Sequence, residues 1–434
     1  MGGKACKTIQ STVRNQELSR ILTRLMFETL KARLRPFRHR DFRNFFFAQT
    51  LSLVGTWSHD LARSWLVIAA TGSNGSLGTL NTAVAVPCLF LILQGGVLVD
   101  RTDVRKLIQR TKSLLGISSI VLAALTEFSG LEMWHLIVFA LIEGVITAYD
   151  SPAFQALIVR MIPREDFQQA LALNSTNFHT SRMLGPIVAA WLMSLHGPSL
   201  VFLFDGVTYF LVAFILAGTQ LRSGGTKLQI DGAPRPSLRE GLRYMYGNLA
   251  LRYRILQLML TLICMYPLMV VIFRVYVQKK FALDAKAFGE VFSLPALGSM
   301  MGALSFTAVQ PREPIRALWF GVPLLFVMLL IMPWLHSLPT TVACMTVVGF
   351  ALYLIFASLT VSMQLEVDDA FRGRLSSVIG LGFSAIGPLM GWPFGVLADL
   401  TSPPFVIITG AGLFGLGSAS LAWLHGHRPA LKRR

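Results

Sequence analysis

The chain has 434 residues, of which 53% are hydrophobic and only 14% charged, with a formal net charge of +17. A soluble domain carries about 25% charged residues, so this one lacks the polar coat of a large water-soluble protein; with a mean hydropathy of +0.58 it reads as a polytopic membrane protein. The surplus Lys and Arg lie between apolar runs and at the two ends of the chain, which argues against nucleic acid as a partner.

Residues 1–43 are basic and hold no membrane-length apolar run. Leu18, Ile21, Leu22, Leu25, Met26, Leu30 and Leu34 recur at helical spacing with Arg and Lys between them, the pattern of an amphipathic helix lying on an anionic leaflet. An unstructured tail, or a true start at Met26, fits the same residues. No secretory signal pattern opens the chain.

Apolar segments long enough to cross about 30 Å of hydrocarbon follow in series. They fall near 44–70, 77–99, 107–128, 133–158, 168–195 and 198–220, then near 251–277, 286–309, 315–335, 339–363, 374–397 and 402–424. The expected fold class is therefore an all-α polytopic membrane protein with twelve transmembrane helices arranged as two six-helix repeats. The expected organisation is a basic N-terminal segment (1–43), a first half (44–220), a polar linker (221–250), a second half (251–424) and a basic tail (425–434). The linker stretch LRSGGTKLQIDGAPRPSLREGLRY is rich in Gly, Pro and charge and ends in a short amphipathic helix.

The connections after even-numbered spans hold Arg101, Arg105 and Lys106, then Arg160 and Arg164, Arg312 and Arg316, and Arg372 and Arg374. Connections such as TGSNGS and HSLPTT carry no basic residue; QKKFALDAK is the exception. By the positive-inside rule both ends of the chain lie in the cytoplasm. Cys6, Cys88, Cys264 and Cys344 are far apart and form no metal or redox pair. Phosphate-cradling glycine loops, zinc-type His pairs and nucleophile elbows are absent, so neither an enzyme nor an ATP-driven pump is expected, and no cofactor is implied.

The stretch GGVLVDRTDVRK (95–106) turns abruptly from oil to charge at the exit of span 2. It serves either as a topogenic cluster or as a gate, in which a glycine pair admits a neighbouring helix and Asp100 pairs with nearby bases. Its pattern Gly96-x-x-x-Asp100-Arg101-x-x-x-Arg105 resembles the loop 2–3 signature of the major facilitator superfamily, with Asp103 where that signature prefers Gly and Val104 in place of an Arg. GTWSHDLARSWLVIAATGS (55–73), YDSPAFQALIVRMIPREDFQQALALNS (149–175), SRMLGPIVAAWL (181–192), LREGLRYM (238–245) and FRGRLSS (371–377) resemble its drug:proton antiporter-3 branch of enterobactin-exporter-like and macrolide-efflux-like permeases. The resemblance covers most of residues 36–425. It implies export of a small molecule such as a drug or siderophore, driven by inward proton flow, by a monomer in the bacterial inner membrane.

Ionisable groups inside hydrocarbon cost about 2.5–3.5 kcal/mol on insertion scales and call for a partner, a wet cavity or a role. Span 1 carries His59, Asp60 and Arg63, the last two sharing a helix face, as a cavity site or as a self-neutralising pair. Span 4 carries Glu143 near its middle and Asp150 towards the cytoplasm; span 6 carries Asp205, with Tyr209 or Arg182 as possible partners. Span 5 carries His179, Arg182 and the helix-bending pair Gly185–Pro186. Arg182 cannot lose its charge, and Asp60, Glu143 and Asp205 are its candidate acids. Arg274 and Glu290 stand in spans 7 and 8, and Asp399 marks the outer end of span 11.

Asp60, Glu143 and Asp205 are thus candidate proton carriers, with Arg63, His179 and Arg182 beside them. Gly96, Asp100, Arg101, Arg105, Asp150, Arg372 and Arg374 are candidates for a cytoplasmic gate. A lysophospholipid flippase, since proteins of the resembled family move lipid, and a membrane sensor without transport, since Val104 replaces an Arg of the signature, remain open as alternatives; the cavity charges fit cationic drugs and, through Arg63, Arg182 and Arg274, anionic siderophores alike.

Overall fold

A computed structural model describes residues 34–128, 130–219, 238–309 and 313–426. The proposed surface helix within 1–33, the linker residues 221–237 and the tail 427–434 lie outside them. Among the described residues there is no strand, and twelve helices of 21 to 33 residues make up the body. They are α1 (Arg40–Thr71), α2 (Asn74–Arg101), α3 (Val104–Phe128), α4 (Met133–Met161), α5 (Phe167–His196) and α6 (Pro198–Gly218). After the short amphipathic helix Leu238–Gly247 come α7 (Leu249–Phe281), α8 (Ala285–Val309), α9 (Pro314–Trp334), α10 (Leu338–Glu366), α11 (Arg372–Leu400) and α12 (Pro403–Gly426).

Ten of the twelve are long and apolar enough to cross a membrane. The remaining two, α1 and α5, are just as long and pack among the ten. Their extra polarity is the set of charged and hydroxyl residues described below. Hydroxyls along the helices close on their own backbone four residues back, as Thr56 does on Ser52 at 2.9 Å and Thr261 on Gln257 at 2.7 Å, which satisfies them without water. Turns are set by local chemistry. Gly72 ends α1 in the left-handed region, and Ser73 caps α2 by accepting from the Ser76 amide at 3.0 Å. Asn248 caps α7.

α1–α6 pack mainly on one another, as do α7–α12, and the two sets meet where α2 crosses α11 and α5 crosses α8. α1 enters and α12 leaves on one face, the terminal face; the short turns at 72–73, 197, 282–284, 335–337 and 401–402 lie on the distal face. The two sets close on each other in the distal half. A Cβ on Gly78 of α2 would collide with the backbone of Gly391 on α11, and one on Gly289 of α8 would sit 2.8 Å from the Pro186 carbonyl oxygen of α5. Small residues at such crossings let helix backbones touch. α7 and α11 each contain one wide five-residue turn, Leu268–Ile272 and Gly382–Ile386.

Candidate transport site

Three arginines and two carboxylates gather where α1, α4, α5 and α7 converge. Arg63 of α1 is 5% exposed, which at that depth requires a counter-charge. It finds two: its Nη1 donates to Glu143 Oε2 of α4, and its Nη2 lies 3.6 Å from Asp60 Oδ1, one turn earlier on α1. Asp60 turns its other oxygen across the interface, where Arg274 Nη2 of α7 donates to Oδ2 at 2.7 Å. Arg274 also donates to the Ser64 hydroxyl. Arg274, Asp60, Arg63 and Glu143 thus form one continuous chain of charges joining the second set of helices to the first. The wide turn at Leu268–Ile272 lies just before Arg274 on α7; wide turns of this kind cluster at functional sites.

Asp205 of α6 is 1% exposed and belongs to a second, adjoining cluster. His59 Nδ1 lies 2.9 Å from its Oδ2, and the Ser119 hydroxyl of α3 donates to the same oxygen at 2.8 Å. The expected partners, Tyr209 and Arg182, do not hold it; the Tyr209 hydroxyl bonds to Thr56 at 2.9 Å instead. Between the clusters lies a small polar cavity with room for about one water, lined by Thr56, His59, Ser119, Glu143, Asp205 and Tyr209 among others. The two candidate acids Glu143 and Asp205 therefore face one chamber inside the first six helices, bounded by α1, α3, α4 and α6.

Arg182, in the middle of α5, is placed differently from its expectation. No acid pairs with it among the described residues; its guanidinium lies over the Trp57 ring of α1, 5.3 Å from the centroid. Asp60 is committed to Arg63 and Arg274, Glu143 to Arg63, and Asp205 to His59. Gly185, one turn on, packs against Trp57, and its carbonyl accepts from the Ser58 hydroxyl at 2.8 Å. Pro186 then presents its carbonyl to Gly289, so the Gly185–Pro186 pair seats α5 between α1 and α8. His179 lies on the same helix, and its side chain is outside the described set.

Among the described contacts the gate candidates fall in separate places. Gly95 is the tight glycine, pressed on the Ala148 carbonyl of α4, whereas Gly96 has open space where a Cβ would stand. Arg105 donates to the Thr219 carbonyl at the end of α6 at 2.9 Å, and Arg101 is exposed. The Asp100 side chain is outside the described set. Asp150 is not at a mouth between the halves: it is 8% exposed, takes a 2.9 Å bond from Lys112 and one of 2.6 Å from Thr111, and ties α3 to α4. Arg374 lies against Gly241 of the short helix Leu238–Gly247, and Phe371, one residue before Arg372, stacks on Tyr244 of that helix at 4.1 Å. Arg254 of α7 pairs with Glu366 of α10 at 3.4 Å. These described contacts of the terminal face each stay within one set of six helices or between the second set and the short helix that precedes it.

The distal face is fastened instead. Asp399, near the end of α11, takes the first turn of α2 as its partner. Its oxygens accept from the Asn74 amide and side chain, both at 2.9 Å, from the Gly75 amide at 2.8 Å and from the Ser73 hydroxyl. A carboxylate on the free N–H groups of a helix start is electrostatically apt.

A model of the family described as transmembrane secretion effector matches residues 31–426. The chain belongs to this family of major facilitator transporters. It is a multi-pass membrane protein. Relatives include the staphyloferrin A transporter of Staphylococcus aureus (strain NCTC 8325 / PS 47), 22% identical over 80% of this chain and 87% of that one. The multidrug efflux pump Tap of Mycolicibacterium fortuitum is 25% identical over 78% of this chain and 84% of its own. Among solved structures, a bacterial homologue of the human lysosomal transporter Spinster, inward-facing and unoccupied, matches with a TM-score of 0.70 at 15% identity, over 90% of this chain and 97% of that one. An inward-facing bacterial homologue of the iron transporter ferroportin matches with a TM-score of 0.64 at 15% identity, over 88% and 98%. These structures establish the fold, and the transport relatives accord with the absence of enzyme motifs.

Ser64, Ser119, Thr56 and Trp57 were not assigned to the site from sequence, and neither were the partners of Arg274 and His59. Arg274 and Ser64 meet across the two sets, and nothing in local spacing announces such a contact. His59 was visible as a charge in span 1, but its pairing with Asp205 depends on how α1 lies against α6. The usable signal was the cost of leaving Arg274 unpaired inside an apolar span, which required an acid somewhere on another helix.

Proposed function

We propose that the protein exports a small molecule by proton antiport through alternating access in the bacterial inner membrane, with both ends cytoplasmic. The observation that carries this reading is the charge chain Arg274–Asp60–Arg63–Glu143, which crosses between the halves and ends at a polar chamber holding a second acid. Protonating Asp60 weakens the link between the halves directly; protonating Glu143 frees Arg63 to draw Asp60 away from Arg274, so proton uptake is coupled to the hold between the halves. Small-molecule transport by the relatives named above supports the substrate class.

The basic loops support the orientation. The outside exception is partly neutralised by its surroundings: Lys280 donates to the Leu335 carbonyl at 2.6 Å and to the Tyr276 hydroxyl at 2.7 Å, and Lys286 lies 3.9 Å from Glu290. With this orientation the fastened distal face is the outer one, and the state is open to the cytoplasm. The halves act as two bodies rocking about the site.

The test is transport in inverted vesicles under an imposed pH gradient, with a drug and a siderophore as substrates. Gradient-dependent uptake that disappears in Glu143→Gln and Asp205→Asn supports the reading. Full coupling in both variants would remove these acids from the mechanism, and flux of lysolipid alone would favour the flippase.

A further inference from the structure

The charge count of the site does not close. Arg63, Arg182 and Arg274 face Asp60 and Glu143, which leaves one positive charge over. The surplus is localised, because both acids are held by the other two arginines. Asp205 is turned away onto His59 and Ser119. Arg182 is left with an aromatic plate and no hydrogen bond or ion pair among the described residues. An aromatic face attracts a cation but does not neutralise it. A guanidinium cannot shed its proton, and its planar fork of donors fits an oxyanion in bidentate fashion.

Arg182 also stands where a ligand would. It lies mid-way along α5, the helix seated between α1 of its own half and α8 of the other, within electrostatic range of Asp60, Arg274 and Tyr266. Trp57, which backs it, meets Phe178 edge-on at 5.5 Å, so an aromatic surface adjoins the charge.

We propose that Arg182, backed by Trp57, receives the oxyanion of the transported molecule, so that the substrate is an anion with an apolar or aromatic body. This deepens the exporter reading and rests on it for the word substrate. The incoming oxyanion supplies the counter-charge that the fold omits, and it competes with Asp60 for Arg274 from the neighbouring position. Substrate and proton then act on the same chain of charges from opposite ends.

Equilibrium binding tests this without any gradient, so loss of transport and loss of anion binding are separable. Protein in phosphatidylcholine nanodiscs is titrated with 1-naphthoate, with lysophosphatidylglycerol and with the cation tetraphenylphosphonium. The expected result is that wild type binds an anionic probe, that Arg182→Gln weakens it at least about tenfold, that Arg182→Lys weakens it less, and that the cation is not weakened. Loss confined to 1-naphthoate identifies a soluble anion; loss confined to lysophosphatidylglycerol identifies a lipid headgroup as the source of the oxyanion. Arg182→Gln should melt at or above the wild-type temperature, since it removes an uncompensated charge. Trp57→Leu, which keeps the guanidinium, should weaken 1-naphthoate as a second probe of the same site. The proposal is overturned if neither anion binds wild type, if Arg182→Gln leaves anion binding unchanged or weakens the cation equally, or if that variant melts far below wild type, which would reveal an internal partner for Arg182. Anion binding that follows Arg182 without gradient-driven flux would retain the oxyanion site and reject the exporter.

Discussion

At the scale of single residues, the contrast between Asp150 and Glu143 separates structure from chemistry. Asp150 is sealed against Lys112 and Thr111. Removing Lys112 alone, as in Lys112→Met, strands a buried carboxylate and should cost about 3–5 kcal/mol of stability. The double variant Lys112→Met/Asp150→Asn should regain much of that, measured by thermal unfolding of the purified protein in detergent. Glu143 faces the chamber but is also the nearer counter-charge of buried Arg63, so Glu143→Gln should lower the melting temperature as well as abolish the pH-driven part of the flux. The presence of these charges was legible in the sequence, because an ionisable residue in an apolar run stands out. Their partners were not. Asp60 and Arg63 share a helix face as their spacing implies, yet the shorter contact of Asp60 is to Arg274, more than two hundred positions away. Likewise the run after Gly95 reads as a gate or a topogenic cluster, and neither the Arg105 contact to Thr219 nor the Lys112 partner of Asp150 could be drawn from it.

At the scale of elements, α2 and α11 form the distal fastening through a side chain and a helix start. Asp399→Ala removes four acceptor contacts from the first turn of α2, a loss of about 0.5–2 kcal/mol by analogy with helix caps. Since those contacts need the distal face shut, the variant should favour a state open at the distal face. Spin labels at Ser194→Cys on α5 and Lys286→Cys on α8, which flank the other crossing between the halves, should then report a longer distance population than in the parent protein. An unchanged distance distribution would show that Asp399 caps α2 without influencing closure. The twelve helices themselves could be drawn from hydropathy to within several residues at most of their ends. What hydropathy could not give is which helices touch. The glycines at 78 and 289 mark tight crossings only once the partner backbones are in place, and Gly96 shows that a glycine beside a tight one need not be tight itself.

At the scale of the molecule, the two halves are held together by α2 on α11, α5 on α8 and the Asp60–Arg274 pair, all in the distal half. Asp60→Asn weakens the pair while retaining a hydrogen-bonding side chain. A coupling of about 1–3 kcal/mol between protonation and opening is the usual range for linked sites. The variant should therefore populate the form open at the distal face at a pH where wild type does not, and the same pair of spin labels would record it. Both wide turns, Leu268–Ile272 and Gly382–Ile386, fall in the second half, on the two helices that carry Arg274 and Asp399. A turn of that kind can creep along its helix by exchanging one backbone bond for the next, without melting anything. The halves are then built unequally: among the described residues the first, which houses Asp60, Glu143 and Asp205, has no such turn, and the second has two, each on a helix that carries a fastening side chain.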